Sequence, residues 1–382
     1  MDFNFSEEER MVQQLTRRFV QEELYPLEKE YLHEDQLPIP VEKELERKAR
    51  AIGLWALNTP KEHGGAGIST PGLCLVSEEK YHALLGDYRK SWGIGGDPSP
   101  IMYEMSEEQK QRWFYPEVRG EKHGGFCQSE PNAGSDPASM ETTAVRDGDE
   151  WVLNGVKLWI SSAQRADFFQ VLAVTDKEKR GRGGITCFIV EKGTPGFRVS
   201  RMVPMMGGEE VGELTFEDCR VPDFNRVGNV GYGFVLGQKL LAKGRLMHGP
   251  GAVGIADRCL DMGIKHAKVR VTFGQPIANR QAIQWMLADS AVEIHATRLM
   301  SWHCAWKYDQ GQDIRQEASM VKVFSGEMSG RVVDRVVQIH GAYGLSKDLP
   351  LEKTYRVVRH RRVGEGTVEI HRFVIARNLL RD

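Results

Sequence analysis

Glu365 lies between two glycines in the run Gly364-Glu365-Gly366-Thr367. Glycine lets a backbone come close to a ligand because it carries no Cβ. A carboxylate held on such a loop can act as a general base, and its own amide N–H can serve a carbonyl oxygen. Read alone, it is more readily a solvated glutamate on a loop. Two further segments have the composition of a site. Phe126-Cys127-Gln128-Ser129-Glu130-Pro131-Asn132-Ala133-Gly134-Ser135-Asp136 concentrates hydroxyls and loop amides able to hold a ring edge or a carbonyl. An ordinary surface turn has the same look. Asn154-Gly155-Val156-Lys157-Leu158-Trp159-Ile160-Ser161-Ser162-Ala163 reads as a hairpin turn followed by an aromatic beside hydroxyls. Trp159 could stack on a flat cofactor or fill a core.

Several chemistries are excluded at this level. Gly228, Gly231 and Gly233 do not fit G-x-G-x-x-G, and no P-loop or His-Glu-x-x-His run occurs. The six cysteines are scattered without a C-x-x-C pair, which predicts buried free thiols rather than a disulfide framework or zinc site. A net charge of −2 gives no general basic face for nucleic acid. The acidic start, Met1 to Arg10, lacks the features of a signal peptide, and no apolar run reaches the length of a membrane span. The expected location is the cytoplasm, or an organelle matrix after removal of a transit peptide.

The elements that must position these residues fall into three blocks, an α+β arrangement. Residues 1–122 read as an all-α N-terminal domain. Ser6 and Glu9 fit a capping box, Met11, Leu15 and Phe19 share a helix face, Pro26 breaks the stretch, and Leu45, Ala49 and Ile52 mark a second helix over 41–53. Residues 123–232 carry short strand-like runs at Trp151–Leu153, Phe168–Val174, Thr186–Val190 and Glu213–Phe216. Turn signals, Asn154-Gly155 among them, separate these runs and predict a β-barrel or sandwich. Residues 233–382 show helical patterns over 233–268, 278–309, 313–344 and 367–380, a C-terminal four-helix bundle.

Five motifs in this order resemble the acyl-CoA dehydrogenase family. They are the two segments above, Arg270-Val271-Thr272-Phe273-Gly274 with Gln281, Gln338-Ile339-His340-Gly341-Ala342-Tyr343-Gly344, and Gly364-Glu365-Gly366-Thr367-Val368-Glu369-Ile370-His371-Arg372. The resemblance spans nearly the whole chain. It implies FAD as cofactor and α,β-dehydrogenation of an acyl-CoA thioester to the 2-enoyl-CoA. Glu365 then takes the α-proton while the flavin takes the β-hydride. It further implies flavin contacts from Phe126, Gln128, Ser129, Trp159, Ile160 and Ser161. Ser129 keeps the hydroxyl that several relatives supply as Thr. Arg270, Phe273, Gln281, Gln338 and Gly341 are implied to reach the FAD of a neighbouring subunit, with Thr367 and Glu369 beside the base. Arg270 and Gln281, 11 residues apart, would share a helix face if one helix carried both. Substrate contacts are implied for Ser135, Arg245, Gly366 and Arg377. The implied partners are an electron-transfer flavoprotein as acceptor and further copies of the chain, in a dimer or tetramer.

The departures from the family pattern are informative. Some members place the base just before the arginine corresponding to Arg245, and here that position is Gly244, so Glu365 has no rival. Ala242 stands where the family often has Asp, which puts one CoA contact in doubt. Gly364 replaces the Tyr of medium-chain relatives and opens space that suits a bulky or branched acyl group. The basic run Arg359-His360-Arg361-Arg362 reads as a solvated helix end or intersubunit salt bridges, or else as an attraction for an anionic acyl tail or phosphate. The alternatives are an oxidase-type relative passing electrons to oxygen and a non-catalytic flavin- or acyl-CoA-binding protein.

Overall fold

The computed structural model describes residues 4–86, 92–208 and 210–380. Helix α1 (Glu7–Phe19) starts on the expected capping box, with the Ser6 hydroxyl accepting from the Glu9 amide and the Glu9 carboxylate accepting from the Ser6 amide. Pro26 does not break the helix. A π turn over Val20–Leu24 runs straight into α2 (Tyr25–Glu30). The wider turn accommodates a ring that would clash with the carbonyl four residues back, and a residue with no N–H to donate. In α3 (Ile39–Ala51), Leu45 and Ala49 are buried as the spacing predicts, whereas Ile52 lies past the helix end and is exposed. Helix α4 (Thr70–Lys80) is buried along most of its length. The π-turn device recurs before Pro116, where Lys110–Phe114 joins α5 (Glu107–Gln109) to α6 (Tyr115–Val118).

Eight strands follow: β1 (Gly124–Cys127), β2 (Thr143–Asp147), β3 (Glu150–Ile160), β4 (Phe168–Val174), β5 (Ile185–Glu191), β6 (Phe197–Pro204), β7 (Glu210–Pro222) and β8 (Arg226–Val227). They form one sheet in the order β6-β7-β3-β2-β4-β5-β8, with β1 parallel to β4. The two wings share a core in which Leu153, Phe169, Val171, Phe188, Leu214 and Phe216 meet, as in a sandwich. The other face of β4 and β5 presents Phe168, Leu172, Cys187 and Ile189 to Trp113, Phe114 and Leu236. Buried on both sides, β4 reads as a continuous apolar run rather than an alternation. Asn154-Gly155 is not a turn. It lies inside β3 at a bulge, where a Cβ on Gly155 would collide with Thr142.

The C-terminal part holds α7 (Gly233–Val269), the short hairpin β9 (Val271–Thr272) and β10 (Gln275–Pro276), α8 (Gln281–Asp309), α9 (Arg315–His340), α10 (Leu351–His360) and α11 (Val368–Leu379). Helices α7, α8 and α9 pack on one another, α10 and α11 pack on α9, and α4 inserts against α7 and α8. The expected helix over 313–344 ends at His340, and α10 was not foreseen as a separate element. One core joins the bundle to the N-terminal layer through Leu24, Val76, Val253, Ala256, Val332 and Val336. All six cysteines are buried free thiols. Among the described residues, no helix is long and apolar enough to cross a membrane.

Candidate active site

The loop between α10 and α11 holds Glu365 in a constrained backbone. The amides of Val363 and Gly364 both donate to the His360 carbonyl, at 2.8 and 3.0 Å, and the Thr367 hydroxyl caps α11 by accepting from the Ile370 amide. Between these two anchors Glu365 takes φ +57°, a left-handed conformation that costs a non-glycine residue roughly 1–2 kcal/mol. Strain of this kind persists where its surroundings impose it. Here they do: the Glu365 carbonyl accepts from Arg245 Nε at 3.2 Å and lies 3.2 Å from His371 Nε2. A carbonyl only accepts, so His371 carries its proton on Nε2, and its Nδ1 lies 3.2 Å from the Ser319 hydroxyl, which donates to the Arg315 carbonyl. His371 is buried, and that burial keeps it neutral by pushing its pKa down to about 4.

The carboxylate points across to α7. A Cβ built on Gly244 would stand 2.5 Å from Glu365 Oε2, so the glycine leaves room for the carboxylate itself. His248, one turn further along α7, has Nε2 3.7 Å from the same oxygen and is only 4 % exposed, against 36 % for Glu365. Burial pushes the Glu365 carboxyl up, but His248, Lys322 and Arg245 outweigh it and hold the group below the usual carboxylate range. Burial, Lys322 and Arg361 drive His248 the other way, toward its neutral form. At neutral pH the carboxylate is therefore ionised, and the cations facing it are Arg245 and Lys322. Lys322 is fully buried, donates to the Arg361 carbonyl and is pushed down to about 8 by burial.

The two polar segments come together beside the sheet, where the residues after β1 meet β3. The Leu158 amide donates to the Ser129 carbonyl at 2.9 Å, and Lys157 Nζ pairs with Glu130 Oε1 at 2.7 Å in full burial. Glu130 also accepts from the Glu141 and Thr142 amides. This pair ties β1 to β3 and fixes where the following residues project. Beyond it β3 bulges between Lys157 and Ile160, Trp159 takes φ +65°, and its indole is 47 % exposed rather than in the core. An open indole on a strained bulge fits a flat ring. Gln128 Oε1 fits a ligand donor: it is buried against Gly237 of α7 and has no hydrogen-bond partner among the described residues.

Three family models cover the chain in order: acyl-CoA dehydrogenase N-terminal domain over residues 6–121, middle domain over 125–219 and C-terminal domain over 231–380. The acryloyl-CoA reductase (NADH) of Anaerotignum propionicum is 38 % identical, over 100 % of this chain and 96 % of its own length. The (R)-benzylsuccinyl-CoA dehydrogenase of Thauera aromatica is 36 % identical, over 100 % and 98 %. The chain belongs to the acyl-CoA dehydrogenase family. The solved butyryl-CoA dehydrogenase of Megasphaera elsdenii superposes with a TM-score of 0.91 at 31 % identity, each chain fully covered. As a member of this family the protein is an FAD-dependent oxidoreductase.

Within this acyl-CoA dehydrogenase the expected residues fall into two groups. Glu365, Gly366 and Arg245 are in contact around the base loop, and Thr367 is the α11 cap. Phe126 and Gln128 lie beside Gly237, near the start of α7. Arg270, Phe273, Gln281, Gln338 and Gly341 gather instead at the far end of the bundle, around a small core of Ala267, Ile277 and Ile339. Arg270 and Gln281 do not share a helix. Arg270 follows the last residue of α7, Gln281 opens α8, and the β9–β10 hairpin separates them. Phe273 sits on that hairpin at φ +49° and is 97 % exposed. Ser135, Glu369 and Arg377 are exposed.

Sequence reasoning passed over His248, Lys322, His371 and the Lys157–Glu130 pair. The only available signal lay in ionisable residues inside apolar helical runs, such as Lys322 and His248. The basic run at 359–362 needs correction at Arg361, which is buried and donates to the His248 carbonyl at 2.9 Å.

Proposed function

We propose that the chain oxidises an acyl-CoA thioester to the 2-enoyl-CoA, with Glu365 as the base that takes the α-proton. The observation that carries this reading is the Glu365 carboxylate, ionised and facing His248 over Gly244, with its own backbone carbonyl held by Arg245. Oriented in this way, the carboxylate can meet a C–H bond without rearranging. Among the described residues, the Glu365 amide makes no backbone hydrogen bond, so it is available to the thioester oxygen as enolate charge develops there. His248 and His371, both neutral, position the carboxylate and its backbone. FAD, when bound, supplies the acceptor for the β-hydride. Trp159, Ile160 and Ser161 with Phe126, Gln128 and Ser129 would hold its ring.

The second group of FAD contacts argues for an oligomer. From Gly237 to Arg270 the α7 helix rises roughly 50 Å at about 1.5 Å per residue, further than one dinucleotide reaches. Arg270, Phe273, Gln281, Gln338 and Gly341 would therefore serve the FAD of another copy, and the exposed Phe273 ring suits such a contact. An electron-transfer flavoprotein as acceptor and a cytoplasmic location complete the proposal. The test is anaerobic addition of an acyl-CoA panel to purified holoprotein. Bleaching of the flavin absorbance by at least one acyl-CoA, with 2-enoyl-CoA as product, is expected. No bleaching by any member would overturn the reading.

A further inference from the structure

Between α4 and α7 lies a cavity of about 230 Å³, walled by Leu57, Leu73, Val76, Ile94 and Met247. A chain of contacts leads from its wall to Glu365, and Met247 on the wall neighbours His248 in α7. Arg361 lies 5.7 Å from the centroid of the Tyr81 ring on the cavity wall, donates to the His248 carbonyl at 2.9 Å, and His248 faces Glu365 at 3.7 Å. A purely apolar acyl tail would need nothing but the apolar walls. Yet Lys80, the last residue of α4, also lines the space.

Lys80 is set apart from the other charges near it. Among the described residues its ammonium meets the Tyr81 ring, 4.6 Å from the centroid, and no carboxylate within ion-pair distance. Asp97 also lines the cavity, but its Oδ1 already accepts from the Asn58 amide, the Thr59 amide and the Thr59 hydroxyl. Lys243 reaches Asn58 Oδ1 and adds positive charge on that side. Burial pushes Lys80 down to about 8, with Arg361 acting in the same sense and Asp97 against it, so the group is still largely protonated at neutral pH. A cation in an apolar cavity is costly unless an anion joins it.

We infer that the acyl group this protein takes ends in an anionic carboxylate, which pairs with Lys80 inside the cavity. This rests on the proposed acyl-CoA oxidation and names its substrate class. The carboxylate supplies the ion-pair partner that Asp97, held by the Asn58 and Thr59 amides, does not give Lys80, and the ring of Tyr81 beside the ammonium limits where it can sit. A neutral tail of equal length would fill the same walls and leave the cation unpaired.

The test uses the holoenzyme with pairs of acyl-CoAs matched in carbon number, one ending in a carboxylate and one in a methyl group. The carboxylate member is expected to give at least tenfold higher kcat/KM. In Lys80→Met that ratio should fall at least tenfold, and in Lys80→Arg it should largely persist. Equal or better oxidation of the methyl member by the wild type overturns the charge inference and leaves the reaction standing. Failure of both members of every pair overturns the proposed reaction instead. Should Lys80→Met not retain FAD, the wild-type ratio and Lys80→Arg decide: loss of the preference in a folded Lys80→Arg that keeps its flavin counts against the inference.

Discussion

Replacing Gly244 by Ala displaces the base and little else. The new Cβ would lie 2.5 Å from Glu365 Oε2 and 3.1 Å from Cδ, where ordinary contact begins at 3.4 Å. The carboxylate must therefore move by nearly 1 Å. A misplacement of about 1 Å in a reacting group costs on the order of 100-fold in rate. The atoms displaced belong to the end of a flexible side chain, and alanine is the better helix former by about 1 kcal/mol. Stability should therefore hold or rise. The assay is the single-turnover rate of flavin reduction under anaerobic conditions, with FAD content and melting temperature measured alongside. Gly263→Ala in the same helix is the control, since its Cβ meets only Val336 side-chain carbons, at 3.3 Å or more, and Leu287. A Gly244→Ala protein with full FAD and a rate within threefold of wild type would refute the placement of the base.

Three further outcomes are expected. Lys157→Met leaves the Glu130 carboxylate buried without its cation, and should destabilise the protein by about 3–5 kcal/mol in chemical denaturation. Glu117 is pushed up to about 8 by burial, so the folded state holds a proton that the unfolded chain has already lost above about pH 4.5. Stability should therefore fall as pH rises from about 4.5 to about 8, and Glu117→Gln should remove that fall, gaining on the order of a few kcal/mol at pH 8; a melting temperature with unchanged pH dependence would count against it. Arg270→Ala should weaken FAD binding roughly tenfold or more in a fluorescence titration, as loss of a charge-assisted contact does, with the thermal unfolding of the FAD-free protein unchanged.

The legible parts of this chain are those where local rules and tertiary structure agree. The Ser6 capping box, the apolar run of β4 and the face of α3 around Leu45 and Ala49 were all plain from residue type and spacing. Other features depended on partners far away in the chain. Asn154-Gly155 has the composition of a turn, but Thr142 and β7 hold it within a long strand. Pro26 should break a helix, and a π turn absorbs it. Glu365 could be singled out because glycines flank it, but its orientation depends on Gly244, His248 and Arg245 from α7, about 120 positions earlier. His371 and Lys80 carry no local mark at all, because an ionisable residue in a helix looks the same whether it faces water or a cavity. The hairpin between Arg270 and Gln281 was lost for a related reason: two strands of two residues each are too short to show a period.

The most direct test of the account is Glu365→Gln, which keeps the shape of the side chain and removes its basicity. The measurement is the rate of anaerobic flavin reduction by an acyl-CoA that bleaches the wild-type holoprotein. The account predicts intact FAD and substrate binding with a rate lower by about 100-fold or more, the usual contribution of a positioned general base. A variant that binds FAD and reduces it at the wild-type rate would contradict the assignment of Glu365 as the base.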